Sequence, residues 1–147
     1  MDPIRLLQTL GASLAAGEAL ELTSDYDVKT ALLAAACLGM AAEDLDRLVE
    51  RLGEENAALR ALLGRAAQRL GASASLAERL RARAALPPVR PRISELRREN
   101  AELRTLLIEL HAAVEEIEGG AARELEREIW AELRRSNERR RLASAPL

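Results

Sequence analysis

The chain has 147 residues, of which 48% are hydrophobic and only 1% aromatic, and its formal net charge is −2. Leucine and alanine therefore supply the core. This favours helices and argues against a sheet-rich fold, because both residues lose little conformational freedom in a helix. A near-neutral chain without a dominant basic face does not suggest binding to nucleic acid.

Five helices are predicted, at about residues 3–22, 25–70, 75–86, 92–118 and 121–142. Asp2 and Pro3 start the first, because an acceptor at the N-cap and a proline at the first helical position favour a helix start. Ser24 with Asp27 approximates a capping box before the second. The prolines within residues 87–91 predict a break, since proline lacks the N–H donor and restricts the residue before it.

Apolar residues recur at alternating spacings of three and four along the second and fourth predicted helices. The a and d positions of these heptads run from Val28 to Leu70 and from Ile93 to Ile117. Further leucines occupy g positions beside the seams: Leu48, Leu62 and Leu106. Three apolar positions per heptad suit a helix with two neighbours. The sequence therefore predicts an all-α fold, a helical bundle with long heptad-patterned, coiled-coil-like helices, as a single domain over residues 1–147.

Residues 55–63 and 99–107 are similar, with seven of nine positions identical at an offset of 44 residues. Convergence on a common coiled-coil pattern and duplication of one helical hairpin both explain this similarity. The shared Glu-Asn-x-x-Leu-Arg pattern resembles leucine zippers in general.

Asn56 and Asn100 each occupy an a position in an otherwise apolar seam. A buried asparagine costs stability unless its amide finds a partner, so it fixes register and partner number. The two can pair with each other across an antiparallel hairpin or with their own copies across a dimer axis. A third interpretation places them at the bundle edge without a specific role. The predicted register and oligomer interface comprises these asparagines and the seam leucines Leu59, Leu63, Leu103 and Leu107.

Residues suited to catalysis or to metal binding are few. His111 is the only histidine and Cys37 the only cysteine, which is too few for a zinc site. We interpret His111 as a rim residue paired with a neighbouring carboxylate, and Cys37 as a small buried hydrophobic residue. The sequence has no glycine-rich phosphate loop and no nucleophile elbow. We therefore expect no enzyme activity, no cofactor and no metal.

Trp130 lies among charged residues in the last predicted helix. It is interpreted either as the anchor of that helix on the bundle or as an interface hot spot, because tryptophan and arginine are enriched in hot spots. The predicted partner contact comprises Trp130, Arg134 and Arg135. The C-terminal arginine cluster suits a solvated helix end; the alternative, contact with nucleic acid or another anionic surface, is disfavoured by the acidic stretch before it. The cluster comprises Arg134, Arg135, Arg139, Arg140 and Arg141.

The expected location is the cytoplasm. The N-terminus lacks the basic region of a signal peptide, and a lone cysteine suits a reducing compartment. Residues 31–42, the longest apolar stretch, are too few to cross a bilayer. We expect a non-catalytic interaction protein that forms a homodimer or higher homo-oligomer and binds an unidentified protein partner, with no nucleic acid and no membrane. The alternative is a helical bundle that binds a small apolar, acyl-type ligand.

Overall fold

The computed structural model describes residues 2–17, 24–69 and 74–144. It contains five helices: α1 (Pro3–Ala15), α2 (Asp25–Arg69), α3 (Ala74–Ala85), α4 (Ile93–Glu115) and α5 (Gly120–Arg140). Helices account for 86% of the described residues, which include no strand. The predicted all-α fold with a helical bundle is confirmed.

Helix α1 is shorter than predicted. Asp2 caps its start, with Oδ1 accepting a hydrogen bond of 3.0 Å from the backbone N–H of Ile4. The helix ends at Ala15, and Gly17 adopts a φ of 71°, a left-handed conformation that glycine adopts without steric cost. Residues 18–22 of the predicted helix lie outside the described part of the chain.

Three further boundaries follow from local chemistry. Ser24 and Asp27 form a reciprocal capping box: the Asp27 N–H donates to Ser24 Oγ at 3.2 Å, and the Ser24 N–H donates to Asp27 Oδ2 at 3.0 Å. The prolines lie in the non-helical connection between α3 and α4. Gly119, with a φ of 135°, directly precedes α5. Leu70, the last predicted seam residue of α2, lies outside the described residues.

The chain forms two compact units, whereas the sequence predicts a single domain. Unit 1 comprises Met1–Leu48 and Arg141–Leu147, and unit 2 comprises Val49–Arg140. Helix α2 contributes residues to both units because its 45 residues extend across the boundary.

In unit 1, α1 approaches α2 closely at Gly11. A Cβ atom at this glycine would lie 3.3 Å from the backbone oxygen of Ala35 and 3.6 Å from Cβ of Leu38. Glycine therefore allows the two backbones to meet where a side chain would crowd them. At the other end of the unit, Glu43 accepts hydrogen bonds from the hydroxyl of Ser144 and from the backbone N–H groups of residues 143 and 144. These bonds lower the pKa of Glu43.

In unit 2, ion pairs give the direction of α5 against α2. Arg65 and Arg69, near the end of α2, pair with Glu128 in the first half of α5. Glu55, a few turns earlier in α2, pairs with Arg140 at the end of α5. The two helices are therefore antiparallel.

Helix α4 is also antiparallel to α5 and hence parallel to α2. Arg104 hydrogen-bonds Ser136 late in α5, and the ring of His111 meets Trp130 in the middle of α5. Helix α3 is antiparallel to α4, since its residues Arg79 and Arg83 pair with Glu109 and Glu102, respectively.

The core of unit 2 consists mainly of leucine. Its largest fully buried apolar side chains come from all four helices: Leu62, Leu63, Leu80, Leu103, Leu110, Leu125 and Ile129. Burying each of them stabilises the fold by about 1.5–3 kcal/mol relative to exposure. Leu62 and Leu106, predicted at g positions, are also buried. Each parallel helix therefore contacts a third helix in addition to its partner.

Candidate interaction surfaces

The two seam asparagines pair with each other inside unit 2. Nδ2 of Asn100 donates a hydrogen bond of 2.8 Å to Oδ1 of Asn56. Nδ2 of Asn56 donates in turn to the backbone oxygen of Leu96 at 3.0 Å and to Oε2 of Glu99 at 3.1 Å. Both asparagines are buried, and buried amide groups require hydrogen-bond partners, which these contacts provide.

This arrangement differs from both pairings expected from the sequence. The asparagines meet across parallel helices of one chain, rather than across an antiparallel hairpin or a dimer axis. The similar segments 55–63 and 99–107 consequently lie side by side in the same direction. The seam leucines assigned to the oligomer interface are buried in this intrachain core: Leu59, Leu63, Leu103 and Leu107.

Reciprocal ion pairs flank the asparagines. Glu55 of α2 pairs with Arg104 of α4, and Glu99 of α4 pairs with Arg60 of α2. Each glutamate directly precedes its asparagine, and each arginine follows that asparagine by four residues. Equivalent positions of the two similar segments therefore make equivalent contacts, which makes the α2–α4 contact pseudo-symmetric.

The outer helices supply further partners to both glutamates. Arg83 of α3 lies 3.6 Å from Glu99, while Ser136 and Arg140 of α5 hydrogen-bond Glu55 at 2.8 and 3.0 Å. Burial alone would raise the pKa of Glu55. This effect is outweighed by the hydrogen bonds from Ser136 and Arg104 and by the charges of Arg104 and Arg140, so the pKa of Glu55 is lowered. Glu55 is therefore ionised at neutral pH although its side chain is almost fully buried.

Glu132 of α5 is a third buried carboxylate. It accepts hydrogen bonds from Arg135 at 3.1 Å and from Arg139 at 3.0 Å. Arg139 also lies 3.8 Å from Glu54 of α2. Because arginines surround these carboxylates, the cluster is suited to holding helices in register. Sequence analysis missed all three buried glutamates, although the repeated Glu-Asn-x-x-Leu-Arg pattern was visible for two of them.

The predicted partner-contact residues have different environments. Trp130 is 47% exposed, and its ring meets His111 edge-on at 5.4 Å. Arg134 is exposed, whereas Arg135 is held by Glu132. Nε2 of His111 lies 3.6 Å from Glu115, too far for a hydrogen bond. Glu115 is thus the carboxylate next to His111, but the predicted pairing is not present as a hydrogen bond.

Unit 1 exposes an apolar surface on both of its helices. No charged residue occurs between Lys29 and Glu43 of α2, and within this stretch Leu33 is 66% exposed. We define the unit 1 apolar face by its exposed residues: Leu6 and Leu10 of α1, and Val28, Leu32, Leu33, Ala36 and Cys37 of α2. The predicted burial of Cys37 is wrong, because α1 covers the side of α2 that carries Ala35 and Leu38.

A groove lies between α3 and α4 in unit 2. It has a volume of about 540 Å³ and combines apolar residues with charged ones: Arg79, Ala82, Arg83, Leu86, Glu102, Thr105 and Leu106. Its arginines are paired with carboxylates of α4.

The described part of the chain contains no group of three or more histidine, cysteine or acidic side chains placed to bind a metal ion. None of its helices combines the length and the apolar character required to cross a bilayer. Comparisons with protein-family models, curated proteins and solved structures give no match to this chain.

Proposed function

We propose that this chain is a non-catalytic cytoplasmic interaction protein that self-associates and binds a helix of a protein partner. The observation that carries the proposal is the unit 1 apolar face. The seam leucines and asparagines of unit 2 have partners within one chain, so they give no support to self-association. The exposed apolar residues available for self-association are instead those of α1 and the first half of α2.

A helix that is apolar on all sides requires neighbours on all sides. Residues 30–42 of α2 carry no charge, and the contact at Gly11 places α1 against only one side of this stretch. Contiguous exposed apolar surface is rare on monomeric proteins and commonly marks an interaction site.

We assign a second copy of the chain as the occupant of this face. A two-fold interface joins the same patch on both subunits, so a patch without charge avoids like-charge repulsion at the axis. Ala36 and exposed Gly39 also permit close approach of two helix backbones. Two α1–α2 hairpins would thereby form a four-helix bundle, in which each hairpin covers the apolar side of the other.

Sedimentation equilibrium of the reduced protein at micromolar concentrations tests this assignment. We expect the wild type to be a dimer and the Leu32→Glu/Leu33→Glu variant to be a monomer, since four carboxylates would meet at the two-fold axis. Leu86→Glu, at an exposed leucine of unit 2, is the matched control and should remain dimeric. A wild type that stays monomeric at about 100 μM, corresponding to less than about 5.5 kcal/mol of association free energy, would refute self-association.

The second candidate is binding of a small acyl-type ligand, favoured by the groove between α3 and α4. Its volume lies within the range of ligand pockets, about 300–1,000 Å³. An anionic head group would have to compete with Glu109 for Arg79 and with Glu102 for Arg83, which ranks this candidate second. Saturable binding of a fluorescent fatty acid, abolished by Leu106→Arg, would favour it.

A further inference from the structure

The outward side of α5 carries a row of arginines interrupted by the tryptophan. Arg123, Arg127, Trp130 and Arg134 are spaced by four, three and four residues, so they follow one another along one side of the helix. All four are exposed. We call them the α5 row. From first to last it extends over about 16 Å, at about 1.5 Å per residue.

The arginines of this row are free of carboxylates, unlike their neighbours in α5. Within the described part of the chain, none of the three pairs with an acidic side chain. The one polar contact among them is the hydrogen bond from Nε of Arg127 to the backbone oxygen of residue 123. By contrast, Arg135, Arg139 and Arg140 pair with buried glutamates. One set of α5 arginines therefore pairs with buried carboxylates of the fold, and the arginines of the α5 row do not.

Apolar surface lies at the centre of the row. His111 packs edge-on against Trp130 and restricts the orientation of its ring. Ile108, one turn before His111 on α4, is 71% exposed. A fixed aromatic ring loses little conformational entropy on binding, which favours its use as an anchor.

We propose that the α5 row binds an acidic amphipathic helix of a partner protein. Such a helix would present carboxylates to the three arginines and an apolar side chain to Trp130. This inference rests on the proposed function, because it gives the chemistry of the helix that the protein binds. Because Trp130 is the third of the four residues, the order of the carboxylates and the apolar side chain in a partner helix fixes its direction along α5.

Charge and geometry favour an acidic helix over other anionic partners. Three cations can neutralise only about three phosphates, which gives weak binding to nucleic acid at physiological salt. The opposite side of α5 is buried in unit 2, so the helix cannot turn an apolar side toward a bilayer. A central tryptophan between arginines is typical of protein interfaces.

The test uses the full-length protein and a synthetic alanine-based helical peptide. The peptide carries three glutamates and one leucine at the spacing of the α5 row, and a control peptide has lysines in place of the glutamates. Trp130 reports binding by fluorescence because it is the only tryptophan. We expect saturable binding of the glutamate peptide, with a blue shift of the emission and a weakening at high salt. The lysine peptide should not bind.

Charge-reversal variants locate the site. Arg127→Glu/Arg134→Glu should weaken peptide binding about tenfold or more, since exposed charge pairs contribute up to about 1 kcal/mol each and reversal adds repulsion. The control Arg81→Glu/Arg98→Glu changes two exposed arginines of α3 and α4 and should bind as the wild type does. For both variants, circular dichroism should show unchanged helix content.

Several outcomes would overturn the inference. They are a glutamate peptide that fails to bind, a lysine peptide that binds equally, or an unchanged affinity of the α5 variant. Displacement of the peptide by duplex DNA, by phosphatidylserine vesicles or by a second copy of the chain would overturn it as well. Sedimentation distinguishes the two proposals. If the protein is a dimer but does not bind the peptide, only this inference is refuted. If the protein is a monomer and binds the peptide, only self-association is refuted.

Discussion

Asn100 donates a 2.8 Å hydrogen bond to Asn56, and these residues occupy equivalent positions in two similar segments of one chain. In a zipper of two chains, such a pair would join two copies of the same residue. Here α3, which runs antiparallel to α4, lies between α2 and α4 in the chain and lets one chain provide both parallel helices. The reciprocal pairs Glu55–Arg104 and Glu99–Arg60 extend the equivalence to the flanking positions.

Cysteines at the two asparagine positions should form a disulfide within one chain. The change is Asn56→Cys/Asn100→Cys in a Cys37→Ser background, and the expectation follows from the direct contact of the two side chains. Non-reducing electrophoresis should show a monomer with increased mobility. Asn56→Cys alone, in the same background, should remain uncross-linked. A cross-linked dimer from that single variant would instead place the asparagine at a dimer axis.

Replacing only one of the two asparagines should lower the free energy of unfolding by more than half of the loss caused by replacing both. Asn56→Leu leaves the Asn100 amide and the Glu99 carboxylate each with one partner fewer, at a cost of about 1–3 kcal/mol. Asn56→Leu/Asn100→Leu removes the orphaned amide as well. We expect the double variant to be at least about 1 kcal/mol more stable than the sum of the single changes predicts. Urea unfolding of the four proteins measures this coupling, and additive effects would show that the amides act independently.

Acid should destabilise the protein partly through Glu55. Its pKa is lower in the folded state than in the unfolded state, so its stabilising contribution is complete above the unfolded pKa of about 4.3. The contribution is lost as the pH falls from there through the folded pKa. Glu55→Gln should lower stability at pH 7 by about 1–3 kcal/mol, because a charged acceptor is replaced by a neutral one while Arg104 and Arg140, both partly exposed, remain in contact with water.

The measurement is the free energy of unfolding of both proteins between about pH 7 and pH 3. The difference between wild type and Glu55→Gln should be constant above about pH 5 and should narrow below it. Thr105→Ala is the control, since it removes a hydrogen bond to the backbone oxygen of Ala101, which does not titrate, and leaves the Glu55 cluster intact. A difference that stays constant down to pH 3 would contradict the lowered pKa.

The sequence by itself determined the helical fold and many of the helix boundaries. Periodic leucines specify which side of a helix is buried, and Asp2, Ser24 and the prolines act on the backbone within a few residues. These are local effects, so they can be read from neighbouring positions. The same periodicity placed Asn56 and Asn100 in the apolar seams, but it left open whether they are buried or lie at the bundle edge.

Only the tertiary structure decided which helices meet and in which direction. The heptad pattern of α2 suits a parallel or an antiparallel neighbour, from the same chain or another, so it left the partner of Asn56 open. Burial of Glu55 and Glu132 and exposure of Cys37 were likewise undetermined. Glutamate burial depends on arginines up to 85 residues away, and the exposure of Cys37 depends on which side of α2 is covered by α1. Local periodicity contains no information about either contact.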